Sequence, residues 1–340
     1  MLSLRTHAFD LPLKHPFTIS RSTVSVQPTV IVELSDGTHV GFGEATTNDY
    51  YGMTLERIRN AIERVRPVLE VVEAIDPPAL FESLQATLDD DPFALCAIDQ
   101  AIYDLWGKQQ GRPVYQLWDL DPETAPQSNF TIGIDTIDQM VAKLHETPGW
   151  PIYKIKLGTK HDIDIVRELR QHTDAKFRVD ANCGWTATET IDNSEQLREL
   201  GVEFIEQPLP ADQIEGSKEV FRHSALPVIA DESCIVESDV DRCSGQFHGV
   251  NIKLVKCGGM TPAKRMIHRA RELNMKVMIG CMTESSVGIS AIAQLAPLLD
   301  YVDMDGAALL AKDIACGVEV IEGVCHFPSV NGNGVTLLPT

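Results

Sequence analysis

Five short stretches set charged side chains in apolar surroundings at near-regular intervals: Lys154-Ile155-Lys156, Val179-Asp180-Ala181-Asn182, Ile205-Glu206, Ala230-Asp231-Glu232 and Asn251-Ile252-Lys253. The steps from Lys156 to Asp180, Glu206, Asp231 and Lys253 in turn are 24, 26, 25 and 22 residues. Each step has the length of one strand-plus-helix unit. Residues so spaced take equivalent places on consecutive strands and converge on one mouth. Asp180, Glu206 and Asp231 then stand side by side. Two carboxylates about 4 Å apart repel by about 4 kcal/mol at an effective dielectric of about 20. A hard divalent cation relieves that repulsion, and an all-oxygen donor set suits Mg²⁺. Helix capping or a lysine partner accounts for any one of these acids alone. Three in register favour the metal.

Lys154 and Lys156 point to one face, because side chains alternate along a strand. Their apolar neighbours imply a buried strand, where a lysine is costly unless paired or neutral. Proximity to a dication and to each other is expected to lower both pKa values, which suits a general base. Ordinary salt bridges are the simpler account of these lysines. Asp303-Met304-Asp305 offers two more carboxylates, fit to grip a cation such as a substrate ammonium. Asp305 reads equally well as a helix N-cap before Gly306-Ala307. Arg21, in the stretch Pro16–Ser22 between two early strands, is a loop cation. It is solvated unless a capping loop carries it onto a substrate carboxylate. Gly258-Gly259 could cradle an anion or simply make a tight turn. Gly41-Phe42-Gly43 lacks the third glycine of a dinucleotide fingerprint, and the histidines form no metal-binding pair motif.

The elements that must position these residues come in two styles. Over the first 110 residues or so, β-rich runs at 27–34 and 38–44 flank Ser35-Asp36-Gly37, a hairpin signal. Helical patterns follow near 54–70, 78–88 and 92–110, with Gly111 at a C-cap position. Strands followed by helices imply an α+β unit, placed at 1–115. Over 116–314 the chain alternates strictly. Short β-rich runs appear at 128–134, 153–158, 176–181, 201–206, 227–231, 249–254, 276–281 and 301–305, with helical patterns between them. Thr186 and Glu189 have capping-box spacing, and Thr261-Pro262 reads as N-cap plus first helical residue. The fold class is α/β: a (β/α)7β TIM-like barrel leads, and a doubly wound open sheet comes second. The segment 315–340 fits neither style and is placed back against the first unit.

In such a barrel, chemistry sits at the carboxyl ends of the strands. Strands two and six face each other across the axis, so Lys156 and Lys253 flank a substrate from opposite sides. That geometry serves removal of a proton from one face and its return to the other. Strand eight faces strand four, which sets Asp303 and Asp305 opposite the metal.

Composition narrows the function classes. The 340 residues carry 29 Lys+Arg against 49 Asp+Glu, a formal charge of −20. So acidic a chain is a poor partner for nucleic acid or for an anionic membrane surface. Its longest uncharged stretch, 285–299, is too short and mixed to span a bilayer. The eight cysteines are scattered with no paired motif, and the N-terminus lacks the apolar run of a signal peptide. A reducing cytoplasm is the default location.

Taken together, the motifs at 154–156, 179–182, 205–208, 230–233 and 251–259, with Gly41–Ala45, resemble the enolase superfamily, muconate-lactonizing-enzyme subgroup. The resemblance covers nearly the whole chain, and makes the first unit a capping domain over the barrel. The Asp-x-Asp at 303–305 is similar to that of dipeptide epimerases, as are the stretches 16–21 and 48–52, whose Tyr51 would face the substrate. The resemblance implies Asp180, Glu206 and Asp231 as Mg²⁺ ligands and Lys156 and Lys253 as the two bases, with Lys154 tuning Lys156. It implies Asp303 and Asp305 on the α-ammonium of a dipeptide, with Arg21 selecting an acidic second residue, as in L-Ala-D/L-Glu. The expected reaction is a 1,1-proton transfer through an enediolate. Lys256 is the rival of Lys253. A cycloisomerase, an o-succinylbenzoate synthase or an N-acylamino-acid racemase is the alternative. A small dipeptide is the implied partner, and a homo-oligomer is allowed.

Overall fold

The computed structural model describes residues 1–339. Its first three strands, β1 (Ser3–Ile19), β2 (Ser22–Ser35) and β3 (Val40–Thr46), form an antiparallel sheet in chain order. The expected hairpin is present with a longer turn: Ser35 pairs with Val40, and Asp36 Oδ1 accepts the Thr38 and His39 amides at 2.7 Å. β1 runs much further than the sequence pattern marks out. It contains Pro12 and Pro16, charged residues on both faces and an irregularity between Pro12 and Phe17, all of which an edge strand tolerates.

Three helices close over this sheet: α1 (Leu55–Leu69), α2 (Pro77–Leu88) and α3 (Pro92–Gln109). Thr54 and Asp76 cap the first two through side-chain oxygens. α3 is buried along nearly its whole length and lies against β3. Gly41 and Gly43 make that approach close: a Cβ at either would strike the backbone of Ala101 or Ala97. The Gly-Phe-Gly stretch is therefore a helix–sheet contact.

After a short helix, α4 (Val114–Leu117), the chain enters a parallel eight-stranded sheet. Its strands are β4 (Phe130–Ile132), β5 (Ile152–Lys156), β6 (Lys176–Asp180), β7 (Val202–Glu206), β8 (Val228–Ala230), β9 (Gly249–Ile252), β10 (Lys276–Gly280) and β11 (Tyr301–Asp303). They pair in sequence order, and a bridge between Ser128 and Val302 brings the last strand back to the first. That bridge makes the sheet a barrel and excludes the open alternative. The crossovers are α5 (Ile137–Glu146), α6 (Asp162–Arg170), α7 (Ala187–Glu199), α8 (Ile214–His223), α9 (Glu237–Cys243), the pair α10 (Leu254–Cys257) and α11 (Met260–Glu272), and α12 (Ser286–Ala293). Seven crossovers between eight strands make it (β/α)7β. The strands are buried on both faces, as parallel strands under helices must be.

The Thr186–Glu189 capping box is present at α7. The expected cap at Thr261 is not. α11 begins two residues earlier, at Met260, because Gly258 and Gly259 adopt positive φ of 100° and 130°. Its exposed amide is met from outside: Asp99 of α3 accepts the Thr261 amide at 2.9 Å and the Thr261 hydroxyl at 2.8 Å. With Asp99 packed against Gly259, the glycine pair is a turn and holds no room for an anion.

A second carboxylate from the cap works in the same way. Glu44 of β3 accepts the Gly288 amide at 3.0 Å and the Ser285 amide at 3.1 Å, at the start of α12. The chain after β11 also touches the cap. Gly332 accepts the Val114 amide at 2.9 Å, and the Asn333 amide donates to Asp104 Oδ1 at 2.8 Å. No helix of the described residues is long and apolar enough to cross a membrane.

Candidate active site

The barrel register decides which side chains meet. Lys156 ends β5 opposite Asp180, which ends β6 opposite Glu206, which ends β7. Asp231 and Lys253 follow the last residues of β8 and β9 directly. The backbone then turns sharply out of the strands: Asn182, Cys183 and Gln207 take φ of 43°, 65° and 31°. Such conformations cost non-glycine residues energy and gather where a site fixes them.

Asp180, Glu206 and Asp231 are at most 1% exposed, and one oxygen of each lies within 4.8 Å of the others. Four lysines surround them. Lys156 Nζ is 2.6 Å from Asp180, and Lys253 Nζ is 2.8 Å from Asp231. Lys154 Nζ lies 2.7 Å from Glu206 and 3.3 Å from Asp180. Lys256 Nζ sits 2.6 Å from both Asp231 Oδ1 and the Asp231 carbonyl, and 3.3 Å from the Asn251 carbonyl.

Asp303 reaches the same cluster: its Oδ2 is 2.8 Å from Lys154 Nζ, and its Oδ1 accepts from Asn129 at 2.7 Å. The ammonium of Lys154 thus joins strand eight of the barrel to strand four, which the sequence reading set apart. Asp305 does not cap the following turn. Its Oδ2 accepts the Thr131 amide of β4, and Cys281 Sγ is 4.0 Å from its other oxygen.

The carboxylates set the charge of the lysines they surround. Burial opposes a charged Lys154, but Asp303, Glu206 and Asp180 overcome it and raise its pKa well above normal. Burial likewise opposes the charge of Lys253, and Asp231 raises it. In the field of these carboxylates alone Lys154 and Lys253 are held protonated; the expected lowering is for lysines with a dication beside them. The acids divide. Asp180 and Asp231 are pushed up by burial, but Lys156 and Lys253 respectively prevail and lower them. Glu206 is pushed up to about 7 by burial and by Asp180. Asp303 is lowered to about 2 by Lys154 against burial, whereas Asp305 is raised to about 8 by burial and by Asp303. The two acids of the Asp-x-Asp pair are thus pushed in opposite directions.

The donor set fits a divalent cation. Glu206 Oε2 is buried and, although close to Lys154 Nζ, makes no hydrogen bond of good geometry; Asn182 Oδ1 beside Asp180 is also unpartnered. Buried oxygens without donors are costly, and all-oxygen carboxylate coordination is what Mg²⁺ takes. A cation shared by the three acids would withdraw their field from the lysines, the condition under which a lysine becomes a usable base.

A cavity of about 140 Å³ opens above the cluster between barrel and cap. Lys154, Lys156, Lys253, Asp231, Asp303, Asp305, Arg21 and Tyr51 all line it; Asp180 and Glu206, fully buried, do not. Lys256 does not reach it. Tyr51 stands half-buried, edge-on to Tyr50 with 4.9 Å between centroids. Arg21 stays partly exposed, but its guanidinium is partnered. It donates to Glu232 at 2.6 Å and to the Asn182 carbonyl at 3.3 Å, and lies 4.3 Å over the Tyr50 ring. The sequence reading missed Asn129, Thr131 and Asn251. Asn129 and Thr131 sit two apart around the start of β4, so strand alternation carried the signal. Asn251 orients Glu206 Oε1 at 2.8 Å, two residues before Lys253 on its strand.

Comparison with known proteins finds two family models. Residues 2–118 match the mandelate racemase/muconate lactonizing enzyme N-terminal domain, and residues 137–340 match the enolase C-terminal domain-like family. The L-Ala-D/L-amino acid epimerase of Flavobacterium johnsoniae is 56% identical over 337 residues, covering 99% of this chain and 100% of that one. The substrate-liganded L-Ala-D/L-Glu epimerase of Bacillus subtilis superposes with a TM-score of 0.93 at 27% identity, over 98% of each chain. The dipeptide epimerase of Enterococcus faecalis, complexed with Mg and L-Leu-L-Tyr, gives 0.91 at 29% identity, again over 98% of each.

Proposed function

The chain belongs to the enolase superfamily, in its mandelate racemase/muconate lactonizing enzyme family, and from that membership we propose that it is a Mg²⁺-dependent dipeptide epimerase. The observation that carries the reading is the placement of Lys156 and Lys253. They rise from the second and sixth strands of the barrel into one cavity, each beside a carboxylate of the buried triad.

Asp180, Glu206 and Asp231 would hold the metal. When bound, Mg²⁺ supplies the positive charge that makes the α-proton of a carboxylate removable. The residues of the chain do the rest. One of Lys156 and Lys253 takes the α-proton of the C-terminal residue, and the other returns a proton to the opposite face, inverting that carbon. Lys154 keeps Asp303 and the triad at fixed separation and adds charge beside Lys156. Asp303 and Asp305 receive the α-ammonium of the N-terminal residue. Tyr51 and Arg21 close the cavity from the cap.

The substrates proposed are dipeptides beginning with L-Ala, L-Ala-D/L-Glu among them. The name of the Flavobacterium relative and the Bacillus structure support that class. A cycloisomerase, an o-succinylbenzoate synthase or an N-acylamino-acid racemase acts on substrates without a free ammonium. Such a substrate would bring no cation to Asp303 and Asp305, which both line the cavity. Eight free cysteines suit a reducing compartment, the cytoplasm.

The test is isotopic. The enzyme with Mg²⁺ in D₂O is incubated with a set of L-Ala dipeptides, and deuterium at the C-terminal α-carbon is read by mass spectrometry. Incorporation with inversion and no elimination is expected. No exchange with any dipeptide would sink the reading.

A further inference from the structure

Arg21 is the one charged residue that the cap contributes to the cavity wall among the described residues; its cap neighbours there include Ile19, Val24, Asn48 and Tyr51. A lone cation in such a wall ordinarily selects an anionic substrate group. Here its charge is already answered. Glu232, on the loop leaving β8, holds Arg21 Nη2 at 2.6 Å with a side chain only 1% exposed, and does not itself reach the cavity. Its other oxygen, Oε2, is buried without any hydrogen bond. The guanidinium is further fixed by the Asn182 carbonyl and the Tyr50 ring.

Resting on the dipeptide reading above, we propose that Glu232 is a positioning residue for substrate choice. It keeps Arg21 neutralised, so that the cavity accepts neutral C-terminal side chains with the Arg21–Glu232 bond intact. An acidic side chain must share the guanidinium with Glu232. Sharing weakens the only strong bond of a buried carboxylate whose second oxygen already lacks a partner, and it brings two like charges together. The pair also spans the seam, with the cation on the β1–β2 turn and the acid on the barrel. Side-chain tolerance is therefore set by a barrel residue acting through a cap residue.

The experiment compares kcat/KM for L-Ala-L-Glu with that for L-Ala-L-Gln, which has the same shape without the charge. It uses the Mg²⁺-loaded wild type, Glu232→Gln, and Glu232→Gln with Arg21→Gln. A ratio of two substrates on one enzyme cancels any general loss of fold or metal affinity. The wild type should show a Glu:Gln ratio of about 1 or below. E232Q should raise it about tenfold or more, chiefly through KM, and adding R21Q should reverse the rise. If E232Q is too poorly folded to assay, E232D takes its place: a carboxylate one methylene shorter draws back from Arg21 and should raise the ratio in the same direction. A ratio unmoved by the Glu232 change while both dipeptides turn over would overturn the proposal. So would a wild type that already prefers Glu about 100-fold. Failure of the wild type to turn over any dipeptide would instead sink the epimerase reading.

Discussion

Lys154 and Asp303, 149 residues apart in sequence, meet at 2.8 Å at the barrel mouth, and the same ammonium lies 2.7 Å from Glu206. One buried cation thus serves two sets of acids, the triad below and the Asp-x-Asp pair beside it. Removing one partner of a buried pair leaves the other charge uncompensated and costs about 3–5 kcal/mol. Lys154→Met should therefore destabilise the EDTA-treated protein by about that much in urea. Added Mg²⁺ should recover part of the loss by restoring positive charge. A loss under about 1 kcal/mol, indifferent to Mg²⁺, would mean that the pair has little weight.

The two proposed bases make separable predictions. Lys156→Ala and Lys253→Ala should each lower epimerisation by about 10²- to 10⁴-fold, the span of general base catalysis. Each variant keeps one lysine, and so one face of the α-carbon. In D₂O one variant should still exchange the α-proton of the L,L-dipeptide and the other that of the L,D-dipeptide. Mass spectrometry of the two epimers checks this. Equal exchange of both epimers by either variant would argue for a single base.

The metal site predicts a linkage between Mg²⁺ and stability. A ligand bound only by the folded state at 100 times its Kd adds about 2.7 kcal/mol. Thermal unfolding should shift upward with Mg²⁺ in the wild type. The shift should vanish in Asp180→Asn, Glu206→Gln and Asp231→Asn. It should survive in Asp305→Asn, because Asp305 faces Cys281 and Thr131 rather than the triad. An undiminished shift in the triad variants would place the metal elsewhere.

Much of this was legible in the sequence for a physical reason. Strands buried on both faces are short and rich in apolar and β-branched residues, so seven of the eight barrel strands fell inside the marked stretches and β5 starts one residue before its own. Their polar ends stood out by contrast. What the sequence could not carry was partnership across distance. Thr261 looks like a cap, but the acid that serves its helix is Asp99, 162 residues away. Arg21 looks like a free loop cation, but Glu232 lies 211 residues on. Lys253 and Lys256 are three residues apart, and only the turn of α10 shows that one reaches the cavity while the other is buried against Asp231 and two carbonyls. Lys154 looks like a side chain answered only by its near neighbours, but Asp303, the acid that most favours its charge, lies 149 residues on.

The cap's anchorage to its own sheet rests on Gly43. A Cβ there would run into the Ala97 carbonyl and crowd the Ala101 amide, both backbone atoms that no rotamer change can move aside. Overpacking a closed contact costs about 1–3 kcal/mol, and more where backbone must shift. Gly43→Ala should lower the urea midpoint accordingly, whereas Gly111→Ala, with nothing within 4 Å of its Cβ but a positive φ of 65°, should cost only backbone strain of about 1 kcal/mol.

Asp99 makes the stability of the seam between α3 and α11 depend on pH. Burial raises its pKa from 3.8 to about 7, against the hydrogen bonds from Thr261. Between those two values the folded protein holds a proton on Asp99 that the unfolded chain has released. The unfolded state binds fewer protons there, so stability falls as pH rises through that window and is constant above it. Asp99→Asn cannot titrate and keeps an acceptor for Thr261. The difference in unfolding free energy, wild type minus Asp99→Asn, should therefore be larger at pH 5 than at pH 8, with contributions from other groups cancelling. Urea unfolding of both proteins at the two pH values checks it. A pH-independent difference would show that Asp99 is ionised throughout, with its two hydrogen bonds from Thr261 strong enough to hold the charge.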